Sequence, residues 1–159
     1  MSKSIQVFLA TAELFPRGRI KARPKYEKNS SLKVGEVEKR PFTATEIVYH
    51  MIDVELLWQY RMNGLLSGAF RHFQQMNPDK EALEKKYNAR DYTRGLRELA
   101  MARSETTRLV STMTNDQLML SGLHSKYGEM NMIKILETME GHDRQHAAQL
   151  DRTLESVRV

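Results

Sequence analysis

The chain has 159 residues, enough for one domain with a substantial core, and no cysteine, which excludes disulfides, thiolate metal ligands and a catalytic thiol of its own. It is 40% hydrophobic and 28% charged, with a mean hydropathy of −0.58, which excludes a wholly disordered chain; no apolar run reaches the roughly 18 residues of a membrane-spanning helix. The net charge of +5 is uneven: residues 1–41 hold ten Lys/Arg against four Asp/Glu, and the remainder fifteen against sixteen, so the excess is an N-terminal feature and not the basic folded face of a nucleic-acid binder.

Near the N-terminus, Ile5, Phe8, Leu9, Ala12 and Phe15 follow helical spacing and predict a short first helix ending near Pro16. Lys3 and Ala10-Thr11-Ala12 imitate a secretion signal, but Gln6 breaks its apolar centre, so a cytoplasmic protein is expected. Residues 17–41, with Pro24, Asn29-Ser30-Ser31 and Gly35, read as a basic irregular loop. The second helix opens on a capping box, Thr43-Ala44-Thr45-Glu46, with Phe42 and Ile47 placed as a hydrophobic staple. Ile47, His50, Met51, Val54, Leu57, Trp58 and Leu65 then share one face, Asp53 and Glu55 lie away from its centre, and the helix fades near Gly64 to Gly68.

Asn77-Pro78 starts a short helix over Asp79 to Tyr87. A long helix follows from about Asp91 to Met113, striped by Tyr92, Leu96, Leu99, Thr106, Val110 and Met113. Thr114 to Leu118 reads as a short capped turn and Ser121 to Gly128 as a loop. The last helix is expected from about Asn131 to Val157, its apolar face taking Met132, Leu136, Met139, Leu150, Leu154 and Val157. Helices of this kind with no sustained strand pattern predict an all-α four-helix bundle, a single domain over residues 1–159.

His142 and His146 stand four apart on the last helix, so two imidazoles share one face a turn apart. His50 lies in the stripe of the second helix. If the two stripes face each other, three neutral imidazoles converge in the core, the arrangement of a divalent metal site with an open coordination position. The spacing is not that of a zincin: Asp143 stands where that motif has Glu as general base. Asp143 is expected to orient an imidazole, to ligate, or to pair with an arginine. Arg61, on the His50 face three turns on, is a candidate for anion binding at a pocket mouth or for a side chain snorkelling at the bundle end. His124, in the loop before the last helix, is a candidate fourth ligand, and His72 reads as solvated. No Gly-rich phosphate loop, GxSxG elbow or Glu-x-x-His di-metal pattern is present, and no residue is singled out as catalytic.

The capped segment Phe42-Thr43-Ala44-Thr45-Glu46-Ile47-Val48-Tyr49-His50-Met51-Ile52-Asp53-Val54-Glu55, the lead-in Leu123-His124-Ser125-Lys126-Tyr127-Gly128-Glu129 and the helix segment Gly141-His142-Asp143-Arg144-Gln145-His146-Ala147-Ala148-Gln149-Leu150 together resemble the DinB/YfiT-like superfamily over about residues 42–157. Before residue 42 the chain departs from that pattern, with a shortened first helix and a basic connection. The resemblance implies a four-helix bundle, commonly a homodimer, in which His50, His142 and His146 bind a divalent metal, nickel or zinc first and manganese or iron as alternatives. Trp58 and Leu65 would offer contact area for the dimer. The resemblance also implies a small-molecule substrate and a metal-dependent enzyme, either a transferase using a low-molecular-weight thiol of the bacillithiol or mycothiol type or a hydrolase. Two rival expectations are a non-catalytic, metal-binding or stress-associated dimeric bundle and, as a minor one, a nucleic-acid binder acting through residues 17–40. No membrane association is expected.

Overall fold

The structure is a computed structural model that describes residues 41–156. The first helix expected near residues 5–16, the basic segment up to residue 40 and the expected helix end at Val157 lie outside the described residues. Helix α1 (Ala44–Ser67) begins as the sequence predicts: Thr43 Oγ1 accepts from the Glu46 amide at 3.2 Å, and Glu46 accepts from the Thr43 amide at 2.9 Å. It ends at Gly68, whose φ of 72° is the left-handed conformation that a glycine takes without a Cβ penalty.

Beyond it come strand β1 (His72–Phe73), helix α2 (Pro78–Glu84) capped by Asn77, and a single 3₁₀ turn at Tyr87–Ala89. Helix α3 (Tyr92–Ser111) is capped by Asp91, and the one-turn helix α4 (Asn115–Leu118) carries a second capping box, Thr114 with Gln117. A hairpin of β2 (Ser121–His124) and β3 (Gly128–Asn131) leads into α5 (Met132–Glu155), capped by Asn131.

The hairpin corrects the expectation of a loop over Ser121 to Gly128 and of a fold without strands. β2 pairs antiparallel with β3 and parallel with β1, placing Phe73 beside His124. These strands escape a pattern search because they are short and their alternation is inverted: in β2 the buried positions are Gly122 and His124, and the exposed one is Leu123. Gly122 is required there, since a Cβ would stand 2.6 Å from the Phe73 ring and 2.8 Å from the Arg71 carbonyl.

Helix α1 packs against both α3 and α5, which is why it is buried on more than one side. Two apolar clusters result. One gathers Trp58, Met62 and Leu65 of α1 with Val110, Ile135, Leu136 and Met139. The other gathers Ile47, Val48, Met51 and Ile52 with Leu99, Leu150 and Leu154. Between them every long helix carries a polar stretch: Glu55 on α1, Arg103 on α3, and His142, Asp143 and His146 on α5. Glu55, expected away from the core face, is only 2% exposed because α3 covers the side of α1 on which it sits. The bundle therefore has a polar layer at mid-height.

Candidate metal centre

The three histidines of the sequence argument meet in this layer. His50 comes from the second turn of α1, and His142 and His146 come from successive turns of α5. Ring centroids lie 5.2 Å apart for His50 and His142, 4.9 Å for His50 and His146, and 4.3 Å for His142 and His146. One donor atom from each falls within 4.8 Å of the other two, so the group could hold a metal ion.

The nitrogens that face each other are Nε2 of His50 and Nε2 of His142, at 3.2 Å. Two nitrogens bonded to one ion at about 2.0–2.1 Å stand about 2.8–3.4 Å apart, from the octahedral cis angle to the tetrahedral one. The buried Nδ1 atoms of His50 and His142 have no hydrogen-bond partner. Neither ring is thus turned to satisfy Nδ1; both are turned so that the Nε2 atoms approach. His146 is held differently. Its Nδ1 donates to Gln149 Oε1 at 2.7 Å, which places the proton on Nδ1 and leaves the Nε2 lone pair free to ligate.

Electrostatics favours the neutral, ligating form. Burial, reinforced by the nearby His146, pushes His50 down to about 4. Burial together with His146, His50 and Arg103 pushes His142 down to about 3. Burial lowers His146 too, opposed by its bond to Gln149 and by the Asp143 charge. At neutral pH all three offer lone pairs to a cation. The donor set, the spacing and the protonation state fit a divalent ion.

Asp143 takes the last of its three expected roles. It pairs with Arg103, whose Nη1 and Nη2 donate to its two oxygens at 2.6 and 3.0 Å, while Nε and Nη2 donate to Glu55 at 3.0 and 2.6 Å. Burial works against the Arg103 charge, but the bonds and charges of the two carboxylates hold its pKa above the usual value. Arg103 and Glu55 were not singled out in the sequence. The available sign was Arg103 itself, a charge at helical spacing inside the run Leu99, Thr106 and Val110.

His124 is not among the converging rings. It sits at the end of β2, near Trp58 and Tyr127, and its Nδ1 accepts from the amides of Lys126 and Tyr127. With Nδ1 so occupied, the expected fourth-ligand role is set aside. Arg61 is not a solvated side chain at the bundle end: it is 4% exposed and its guanidinium lies over the Trp58 ring. His72 is exposed, as read. A cavity of about 490 Å³ joins these parts, with the three histidines, Arg61, His124 and Gln149 in its wall.

In the comparisons with known proteins, residues 2–150 fit a family model described as the DinB superfamily. It begins at residue 2 and so takes in the N-terminal segment that the resemblance in the sequence left out. No curated protein and no solved structure matches the chain.

Proposed function

The chain belongs to the DinB superfamily, and from that premise we propose that it is a metal-dependent enzyme in which His50, His142 and His146 hold one divalent cation, nickel or zinc in preference to manganese or iron. The observation that carries the reading is the 3.2 Å approach of two Nε2 atoms from different helices at the wall of a cavity. A structural ion would be closed off by protein, whereas this group faces a space of the size that small-molecule sites have. A cation there supplies Lewis acidity, drawing the pKa of a thiol or water bound to it toward neutrality.

The residues of the chain supply the rest. Burial keeps His50 and His142 unprotonated, Gln149 holds His146 in its ligating tautomer, and Phe42, Val54, Leu57 and Trp58 give the cavity an apolar side. We place a low-molecular-weight-thiol S-transferase ahead of a hydrolase; with no cysteine in the sequence, the thiol nucleophile would arrive as a cosubstrate, which fits that reading. The rival is a non-catalytic metal-binding bundle.

The test is elemental analysis of protein purified without an affinity tag, followed by a conjugation assay with a thiol and a soluble electrophile. We expect about one ion per chain, turnover that chelation abolishes, and recovery when the metal is restored. One bound ion with no turnover of thiol conjugates or of hydrolysable esters would favour the non-catalytic rival.

A further inference from the structure

Among the described residues two arginines are buried, and they are held differently. Arg103 is held by two carboxylates. Arg61, equally buried, has no carboxylate partner among the described residues: its Nη2 donates to the Gln74 carbonyl, and its guanidinium lies 4.3 Å from the Trp58 ring centroid and 5.7 Å from that of Phe73. Burial lowers its pKa only to about 10, so it carries its charge at neutral pH. A guanidinium satisfied by one carbonyl and a ring has further N–H groups to offer, and none of the Arg61 nitrogens is sealed off without a partner, so they are open to the cavity. Arg61 lines the same cavity as the three histidines, and among the described residues its other N–H groups have no acceptor.

From this arrangement we infer that the cavity is a two-point receptor: Arg61 binds the carboxylate of an elongated organic acid whose other end carries a donor atom for the histidine-held metal. The inference rests on the metal reading above and extends it to the class of ligand.

The surroundings of Arg61 agree with an anion there. His124 is buried beside Trp58, and because its Nδ1 accepts two backbone amides, its proton sits on Nε2 and makes it a fixed donor in the cavity wall. Lys126 stands exposed at the rim. Among the described residues the one carboxylate in the cavity wall, Asp79, is exposed at the start of α2 and does not reach the guanidinium as an ion pair. One buried positive charge, with a neutral histidine donor beside it, matches a carboxylate monoanion better than a phosphate dianion. The distance follows from α1 alone. Eleven residues from His50 to Arg61 make about three turns, which returns Arg61 to the same face about 16 Å along the axis. Side chains on one helix lean toward its N-terminus alike, so the lean largely cancels between His50 and Arg61 and the span stays on the order of that rise.

Cobalt-substituted protein tests this, since thiolate binding to cobalt gives a charge-transfer absorption that needs no turnover. The probes are ω-mercaptocarboxylic acids of increasing chain length, their methyl esters and the matching phosphonates, titrated into the natural chain, Arg61→Gln and Arg61→Lys. In the natural chain the acid should bind at least about tenfold tighter than its ester, with an optimum at intermediate length. That preference should vanish in Arg61→Gln and persist, weakened, in Arg61→Lys. Equal affinity for acid and ester in the natural chain overturns the inference, and this comparison stands even if Arg61→Gln fails to fold. A preference that survives in folded Arg61→Gln overturns it as well, and a phosphonate that binds tighter than the acid overturns the carboxylate assignment. Cobalt bound without acid preference defeats this inference alone, whereas no cobalt bound by any variant defeats the metal reading and this inference with it.

Discussion

Gln149 is the least conspicuous residue of the site and a sensitive one. It makes the only hydrogen bond to an Nδ1 of the three rings that the described residues show, and it fixes the tautomer in which His146 ligates. Removing such a partner commonly weakens metal binding about 10–100-fold. Gln149→Leu should therefore lose affinity by that factor in a competition titration against a chelator, with its melting temperature little changed; unchanged affinity would mean that His146 is positioned by packing alone. The depressed histidines also make a pH prediction. In metal-free protein His50 and His142 titrate at about 4 and about 3, against 6.5 for an ordinary imidazole. Between those values the unfolded chain binds protons that the folded chain refuses. The stabilisation is complete above pH 6.5 and is lost as pH falls through the folded values. Urea midpoints of chelated protein should hold steady from pH 8 to about 6.5 and then fall, and the fall should be shallower in His142→Gln.

At the scale of elements, the weak point of the bundle is the place where its three long helices share charges. Arg103 of α3 joins Glu55 of α1 to Asp143 of α5 in a layer that apolar packing leaves open. Arg103→Met would strand two carboxylates in the core, and breaking a buried pair from one side costs about 3–5 kcal/mol. Thermal melting should show a loss of that order. A triple exchange of Arg103, Glu55 and Asp143 for apolar residues of similar volume should recover most of it, since the penalty comes from the uncompensated charge and not from lost volume. A single variant as stable as the natural chain would show that water reaches this layer. Close packing of α1 on α3 has its own device. A Cβ at Gly95 would meet the Tyr49 ring at 2.9 Å and Val48 at 3.0 Å, so a glycine lets the helices approach here.

For the molecule as a whole, two apolar clusters above and below the polar layer should carry the fold without an ion. His146→Ala is expected to abolish stoichiometric metal binding while helical circular dichroism and cooperative melting persist; a variant unfolded at room temperature would make the metal structural and the non-catalytic reading the better one. Assembly is a second question at this scale. Trp58 and Leu65, offered by the sequence as dimer contacts, are buried in the core of the chain itself. The exposed apolar residues of α1 are Leu56 and Tyr60, a turn apart on the outer face. We propose the homodimer with contacts there. Light scattering at micromolar concentration should give twice the 18.5 kDa of the single chain, and Leu56→Glu with Tyr60→Glu should return it to one.

What the sequence determined alone is whatever local chemistry and helical period encode. Capping residues at Thr43, Asn77, Asp91, Thr114 and Asn131 mark helix starts because an unpaired amide at a helix end needs a nearby acceptor within a few residues. The core-facing positions of His50, His142 and His146 follow from counting at 100° per residue. What only the tertiary structure decided is whatever depends on a second element coming close. No period in α1 shows that Glu55 is buried, because α3 does the burying. Nor does the sequence reveal that Asp143 answers Arg103 forty residues away, that Gly122 and His124 form a strand whose buried side is not its apolar one, or that Arg61 is left with no carboxylate partner among the described residues. Partner choice among buried charges is set by distances between helices, and a sequence carries those distances only through the packing of the whole chain.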